Sequence, residues 1–232
     1  MNYLAIDAST EACSVALQLD GQVYSRFELC PQSHSLLLLP MVDSVLKEAH
    51  CKLNELDGLI FGRGPGSFTG VRIGIGVAQG LAFSAELEVV GVSTLQAMAQ
   101  RAFENYQQNN VIAAIDARMS EVYICHYRAD EQGIMQAQLE EAVLAPAKVS
   151  EYLASPCTNA AYGVGTGWDA YSKDLAGFKG NEGSLEVLYP HAENMLTLGA
   201  HLFKQGKAVP AEQAQPVYVR DTVSWKKLPG RE

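Results

Sequence analysis

The sequence opens with three β-rich runs: YLAIDA (Tyr3–Ala8), CSVALQL (Cys13–Leu19) and QVYSRFEL (Gln22–Leu29). Short polar segments join them, and the second joint is an Asp20-Gly21 turn. Turns of this kind connect antiparallel neighbours, so the three runs predict a meander of hairpins. In the next segment, Ser35–His50, apolar residues recur at i, i+3, i+4 and i+7, which predicts an amphipathic helix.

The rest of the first half alternates strands and helices. We predict, in chain order, a buried strand at Gly58–Gly62, a helix at Thr69–Ser84, a strand at Glu88–Val92 and a helix at Leu95–Gln107. The first half therefore has the predicted order βββαβαβα. A mixed sheet flanked by helices is the simplest packing for this order.

The same eight-element order restarts at Val111. The predicted elements are strands at Val111–Asp116, Glu121–Arg128 and Ile134–Val143, a helix at Ala147–Ala154, a strand at Ala161–Val164, a helix after Gly167, a strand at Leu185–Leu188 and a helix at Glu193–Gln205. The predicted fold class is α/β with two related halves, an N-terminal lobe at 1–109 and a C-terminal lobe at 110–232. Residues 206–232 are expected to form an irregular strap, and a cleft is expected near Asn109–Asn110.

Composition limits the classes of function. The net charge of −9 opposes stand-alone nucleic-acid binding, because phosphate affinity comes mostly from Lys and Arg, and only Tyr218–Glu232 is locally basic. The five cysteines are scattered and form no C-x-x-C pair, which predicts a reducing compartment and neither a disulfide framework nor a zinc site. No signal peptide and no long apolar run is evident, so we expect a cytoplasmic protein without membrane contact.

The first candidate site is the turn that contains Asp7, Ser9 and Thr10. A carboxylate at a strand end followed by hydroxyls can hold a phosphate while the carboxylate orients a magnesium-bound water. The same residues can instead satisfy the amides of an ordinary turn, as Asx and Ser/Thr turns do. The residues alone leave both interpretations open, and the second is favoured.

The second feature is the glycine-rich stretch Gly62–Gly76, which runs from a loop into a helix. It is neither a P-loop nor a dinucleotide fingerprint, because no Gly-Lys-Ser/Thr follows and the G-x-G-x-x-G spacing is absent. Small residues recur four apart on this helix, at Gly70, Gly74, Ala78 and Ala82. Such a stripe lets another backbone approach closely. That backbone belongs either to this protein's own sheet or to another chain.

Sequence motifs for catalysis are missing. The five histidines never have H-x-x-x-H or H-x-x-E-H spacing, and no G-x-S-x-G nucleophile motif occurs. We therefore predict no catalytic residue and no metal ligand in this chain.

Five blocks together resemble the TsaB (YeaZ) family: AIDAST (Ala5–Thr10), GRGPGSFTGVR (Gly62–Arg72), GVSTL (Gly91–Leu95), IDAR with EVY (Ile115–Arg118 and Glu121–Tyr123), and PVYVR (Pro216–Arg220). The resemblance implies the two-lobed actin-like/hexokinase/Hsp70 ATPase fold, which is ribonuclease-H-like. It also implies a place in the pathway that forms N6-threonylcarbamoyladenosine at position 37 of ANN-decoding tRNAs. In that pathway the paralogue TsaD is the catalytic subunit, TsaE is a P-loop ATPase, and TsaC or TsaC2 supplies threonylcarbamoyl-AMP.

A comparison with TsaD-type enzymes suggests the role of this chain. Their metal-binding H-x-x-x-H pair would fall at Thr94 and Met98, neither of which is a plausible substitute ligand. The resemblance thus implies a non-catalytic scaffold or activator that partners TsaD, with no tightly bound cofactor, ATP or ADP at most at the subunit interface, and tRNA bound through the complex. The alternatives are a small-molecule kinase of the same fold, which would use Gly163–Gly167 and Asp116, and a disfavoured M22-type metallopeptidase.

The partner surface is predicted on two helices. On Ser35–His50, leucines near the helix start lie off the core stripe, and on Thr69–Ser84 the small-residue stripe would admit a second helix. The predicted interface residues are Leu36, Leu37, Met41, Gly70, Gly74, Val77, Ala78 and Leu81. They are expected to bind the TsaD-type subunit, or a second copy of this chain in a homodimer when that subunit is absent.

Overall fold

The computed structural model describes residues 1–154, 160–175 and 181–220. The first half has the predicted order βββαβαβα. Its elements are β1 Tyr3–Asp7, β2 Ala12–Leu19, β3 Gln22–Leu29, α1 His34–Glu48, β4 Gly58–Gly62, α2 Phe68–Ser84, β5 Val89–Val92 and α3 Thr94–Tyr106. The five strands form one sheet in the order β3-β2-β1-β4-β5, in which β1 is antiparallel to β2 and parallel to β4.

The second half repeats this topology. Its elements are β6 Asn110–Asp116, β7 Val122–Ala129, β8 Met135–Ala137, β9 Ala142–Leu144, α4 Val149–Leu153, β10 Ala161–Val164, α5 Gly167–Ala170, α6 Ser172–Leu175, β11 Asn181–Ser184 and α7 Ala192–Lys204. The second sheet has the order β11-β10-β6-β7-β8, and β9 also pairs with β7. Because β6 and β10 occupy the places of β1 and β4, the two sheets have matching strand orders, and the predicted duplication is confirmed.

The second half departs from the sequence prediction in two places. The strand expected at 134–143 is split, because the four residues between β8 and β9 lie opposite only two residues of β7, so the chain bulges. The strand expected at 185–188 begins earlier, as β11. Residues 185–187 continue beside β10 through backbone hydrogen bonds from Leu185 to Gly163 and from Gly165 to Val187.

Each half contributes its last helix to the sheet of the other half. Helix α3 packs Leu95, Met98 and Ala102 against β6 and β7 of the second sheet. Helix α7 covers β1 and β4 of the first sheet, where Phe203 stacks on Tyr3 with ring centroids 4.7 Å apart. The halves therefore interlock on both sides of the predicted 109/110 boundary. On their other faces, α1 and α2 cover the first sheet, and α4 to α6 cover the second.

The segment after α7 returns along the first lobe. Val209 forms an isolated antiparallel bridge with Val89, and the Val217 amide donates to the Arg63 carbonyl. Within the described part of this segment only a 3-10 turn at Ala211–Gln213 is regular, in agreement with the expected irregular strap. Most of the predicted basic end, residues 221–232, lies outside the described residues. No helix in the described ranges is long and apolar enough to cross a membrane.

Candidate functional site

The turn after β1 is closed by its own hydrogen bonds. Asp7 is only 1% exposed, and its carboxylate accepts hydrogen bonds from the Ser9 amide (3.0 Å) and the Ser9 hydroxyl (2.9 and 3.0 Å). The Thr94 hydroxyl in turn donates to Ser9 Oγ at 2.9 Å. Thr10 Oγ1 accepts the Ala12 amide at 3.4 Å. The residues behave as an internally satisfied turn, which was the favoured interpretation of the sequence.

Glycines seal this turn from the first-lobe side. A Cβ atom at Gly62 would lie 1.8 Å from Asp7 Oδ2, and one at Gly66 would lie 2.1 Å from the Ser9 carbonyl oxygen. Burial raises the pKa of Asp7 to about 6, against the opposing effects of the Ser9 hydrogen bonds and of His34. An enclosed carboxylate cannot orient a magnesium-bound water without opening the turn. The geometry therefore argues against the predicted nucleotide-binding role for Asp7, whereas the roles of Ser9 and Thr10, which border a cavity, stay predictions.

A cavity of about 790 Å³ lies between the lobes. Its walls come from the turn that contains Ser9 and Thr10, from the start of α2, from the end of β6 and from the strap, and its arginines are Arg72, Arg118 and Arg220. All three arginines already have partners. Arg118 pairs with Asp116 and Glu11, Arg220 pairs with Glu121, and Arg72 packs on Phe68 and donates to Tyr218 Oη at 2.9 Å.

The two features that a kinase would use, Asp116 and the Gly163–Gly167 stretch, are engaged in hydrogen bonds and in packing. Asp116 accepts from the Arg118 amide (2.9 Å) and guanidinium (3.0 Å), and from Tyr171 Oη (2.9 Å). Gly165 has φ +103° and would place a Cβ 2.1 Å from the Ala114 carbonyl oxygen. Gly165 therefore allows the turn between β10 and α5 to approach β6 closely. This is the structural role that the sequence favoured for the Gly163–Gly167 stretch.

Thr94 and Met98, the positions predicted to match the histidine pair of TsaD-type enzymes, are core residues. Thr94 is 1% exposed and Met98 is fully buried. A Cβ on Gly165 would lie 2.9 Å from the Met98 Cε atom, so the methionine reaches into the second lobe. Thr94 thus contacts Ser9 of the first lobe, and Met98 contacts Gly165 of the second lobe.

The structure contradicts half of the predicted partner surface. Gly70 and Gly74 lie against Ala8, whose carbonyl oxygen would be 2.2 Å from a Cβ at Gly70, and Ala78 is fully buried in the first-lobe core. Met41 is only 7% exposed in the same core. The small-residue stripe exists because the turn after β1 approaches α2 closely. These four residues face the interior of this protein's own first lobe.

The other side of α2 carries an exposed ridge, of which the sequence predicted only Val77. We define the α2 ridge as Ile73, Gly76, Val77 and Gly80. Gly76 and Gly80 are exposed, with no other group within 4 Å of a Cβ placed on either, and Ile73 and Val77 are half-buried. Phe83, 76% exposed, follows along the same side of the helix. The four-residue spacing of Gly76 and Gly80 was the available sequence signal.

The remaining predicted interface residues are accessible. Leu36 on α1 is 73% exposed, and Leu39, one turn further, is 49% exposed. Leu37 and Leu81 are half-buried and pack at the edge of the first-lobe core. Helices α1 and α2 contact each other, so their outward faces belong to one side of the first lobe.

The fold and the closed turn define a class of protein: a two-lobed α/β protein with the actin-like ATPase fold. The family model described as TsaD, tRNA N6-adenosine threonylcarbamoyltransferase, matches residues 27–174. The tRNA threonylcarbamoyladenosine biosynthesis protein TsaB of Escherichia coli is 51% identical over the full length of both chains. The Haemophilus influenzae TsaB is 45% identical, with 100% of this chain and 99% of that protein covered.

A solved structure agrees with these relatives. The structure titled YeaZ from Pseudomonas aeruginosa superposes with a TM-score of 0.86 at 46% identity, covering 94% of this chain and 99% of that one. The chain belongs to the TsaB family of tRNA threonylcarbamoyladenosine biosynthesis proteins. The family and fold implied by the sequence blocks are confirmed.

Proposed function

We propose that this chain is a non-catalytic subunit that binds and activates a TsaD-type transferase during formation of N6-threonylcarbamoyladenosine at position 37 of ANN-decoding tRNAs. The observation that carries the proposal is the α2 ridge. Each exposed glycine costs an α-helix about 0.5–1 kcal/mol relative to alanine, and two of them on an outward face gain nothing from the protein's own core. A partner helix that packs closely against them offsets that cost.

The exposed leucines of α1 support the same surface. Leu36 and Leu39 are exposed on α1, and α1 contacts α2, which carries the α2 ridge, so exposed apolar residues occur on two neighbouring helices. Large exposed apolar patches in soluble domains are typical of protein interaction sites. A TsaD-type subunit is the partner that family membership favours. A second copy of this chain would use the same helices in its absence.

Support for a non-catalytic role comes from the cleft. Thr94 and Met98 provide no metal ligands, Asp7 is sealed, and the acceptors of Asp116 are occupied by Arg118 and Tyr171. Within the proposal, catalysis belongs to the TsaD-type subunit, a TsaE-type P-loop ATPase is a third component, and tRNA binds through the complex. ATP or ADP, where it takes part, binds at the interface between subunits. The kinase gains no observation in its favour, because Asp116 and Gly165 are already engaged within the protein.

Replacement of Gly76 by tryptophan tests the docking surface. A Cβ at Gly76 meets no atom within 4 Å, so Gly76→Trp is expected to leave the monomer folded while its bulk prevents a helix from approaching. We expect co-elution with the TsaD-type subunit to be lost at a melting temperature that is unchanged or slightly raised. The matched control Gly76→Ala keeps the surface small and should co-elute normally. Normal co-elution of Gly76→Trp would contradict the proposed surface.

Activity measurements test the proposed role separately. The purified chain alone should transfer no threonylcarbamoyl group, and its addition to the TsaD-type and TsaE-type subunits with tRNA and threonylcarbamoyl-AMP should be required for product. The Asp7→Asn variant should support the same rate as the unmodified chain. Robust turnover by the chain alone that is abolished by Asp7→Asn would contradict the scaffold role and show that the chain is an enzyme.

A further inference from the structure

Three buried side chains of types that bind metal ions lie together next to the turn that contains Ser9 and Thr10. Cys13 lies on β2, Cys30 directly follows β3, and His34 is the first residue of α1. One sulfur or ring nitrogen from each residue lies within 4.8 Å of the other two. The cluster is independent of the helix faces used in the proposed function.

Backbone contacts hold the three residues in this arrangement. The Cys30 amide donates to the Glu11 carbonyl at 2.9 Å, which fixes the end of β3 beside the start of β2. His34 Nε2 lies 2.7 Å from the Thr10 carbonyl oxygen, which draws the start of α1 over the same hairpin. The cluster is therefore assembled by strand register and helix placement, and not by spacing along the chain.

The separations suit a tetrahedral metal ion. Zn–S bonds of about 2.3 Å and Zn–N bonds of about 2.0–2.1 Å place tetrahedral ligand atoms roughly 3.5–3.8 Å apart. The ligand atoms of Cys13, Cys30 and His34 lie within 4.8 Å of one another, so side-chain movements of about 1 Å would bring them to tetrahedral ligand distances. Two thiols and one imidazole prefer Zn²⁺ or Cu⁺ over the hard ions Mg²⁺ and Ca²⁺.

Charge and access favour a cation at this place. Asp7 interacts electrostatically with both Cys13 and His34, so its carboxylate would stabilise a cation bound between them. His34 and Thr10 also border the interlobe cavity, which gives an ion a route from solvent.

We propose that Cys13, Cys30 and His34 form a binding site for one thiolate-preferring metal ion, with Zn²⁺ as its ordinary occupant. Three protein ligands leave one position for water or another small group from the cavity. The ion would cross-link β2, the end of β3 and the start of α1. This proposal departs from the sequence prediction of no zinc site, which rested on the scattered spacing of the cysteines.

Metal titration of the full chain tests the site. The protein is reduced, stripped with a chelator and titrated with Zn²⁺ against a chromophoric competitor, and then with Co²⁺. We expect one Zn²⁺ per chain, a thiolate-to-cobalt charge-transfer band that Zn²⁺ abolishes, and a melting temperature that rises with Zn²⁺ concentration because the ion binds the folded state. Cys13→Ser, Cys30→Ser and His34→Gln should each weaken Zn²⁺ binding by more than about tenfold.

Two other cysteines supply matched controls. Cys51→Ser and Cys125→Ser change thiols that lie outside the cluster and should leave the Zn²⁺ affinity unchanged. Circular dichroism checks that each variant is folded, and His34→Gln at the cavity border serves if a buried serine prevents folding. Absence of stoichiometric Zn²⁺ binding by the reduced chain would overturn the proposal. Equal affinity in the folded ligand variants, or a Cys13–Cys30 disulfide that forms in place of Zn²⁺ binding, would also overturn it.

Discussion

Arg118 of the second lobe donates from Nη2 to Oε1 of Glu11 in the first lobe, at 2.8 Å. Both residues line the interlobe cavity, and Arg118 lies in a run of three residues with left-handed φ values of 55–62°. Such backbone is uncommon outside glycine and is kept only where the surroundings favour it. The turn therefore positions the guanidinium between Asp116 on its own lobe and Glu11 on the other.

Removal of this bond should loosen the lobes with little loss of stability. Glu11→Gln weakens an ion pair whose side chains are 39% and 72% exposed, so the free energy of unfolding should fall by less than about 1 kcal/mol. Amide hydrogen exchange at residues that line the cavity should nevertheless accelerate. The control Asp43→Asn weakens an exposed pair with Lys47 inside α1 and should leave exchange at the cavity unchanged. Identical exchange in both variants would argue against an interlobe role.

The buried carboxylate of Asp7 should make stability depend on pH. Its pKa is raised from 3.8 to about 6 by burial, so the folded state holds the proton more tightly than the unfolded state. The Asp7 carboxyl therefore does not lower the free energy of unfolding below about pH 4. Its destabilising effect grows as the pH rises through this range and reaches on the order of 3 kcal/mol above about pH 6. Asp7→Asn should be more stable than the unmodified chain at pH 8 by up to that amount, with the advantage vanishing near pH 4. Urea unfolding of both proteins across this range gives the difference, and an advantage independent of pH would refute the assignment.

Two positions on α2 should respond to added bulk with opposite signs. Ala78 is fully buried, so Ala78→Leu should overpack the core and lower the free energy of unfolding by about 1–3 kcal/mol. Gly80, two residues later, faces open space, so Gly80→Ala should raise it by about 0.5–1 kcal/mol through improved helix propensity. Thermal and urea unfolding measure both changes. A destabilised Gly80→Ala would show that the α2 ridge packs inside the monomer.

Glycine 165 should be far less replaceable than another left-handed glycine. Gly165 and Gly21 have φ +103° and +86°, but only at Gly165 does a Cβ collide with backbone, at 2.1 Å from the Ala114 oxygen. Gly21→Ala should therefore cost about 1–2 kcal/mol from backbone strain alone. Gly165→Ala should cost at least about 3 kcal/mol, because β10 and β6 must also separate. Equal losses in urea unfolding would mean that the close approach adds nothing.

Local patterns predicted most of the fold and little of the surface. The order βββαβαβα of the first half follows from periodicity and turn residues, which are properties of neighbouring positions. The split between β8 and β9 does not, because it depends on how many residues of β7 lie opposite. A stripe such as Gly70 and Gly74 fits an inner or an outer face equally well. Its burial is decided by Ala8, which is distant in the chain from both glycines.

The candidate site shows the same limit. Asp7, Ser9 and Thr10 are adjacent, so their turn was visible in the sequence, and both the phosphate and the ordinary-turn interpretations used residues that do lie together. The partners that seal Asp7, namely Gly62 and Thr94, come from other elements. Cys13, Cys30 and His34 meet only through the register of a hairpin and the placement of α1. Contacts of this kind cannot be deduced from spacing.

The exchange of α3 and α7 between the lobes sets an order on folding during synthesis. A ribosome completes the first sheet by Val92, yet the helix that covers Tyr3, Ala5 and Ile60 is not made until residues 192–204. For about half of translation, therefore, one face of that sheet has no native cover, and the nascent chain carries an apolar surface of the kind that chaperones bind. Neither lobe can be cut out as a finished unit, since residues 1–109 would lack the α7 cover and would carry α3 without the sheet on which it packs.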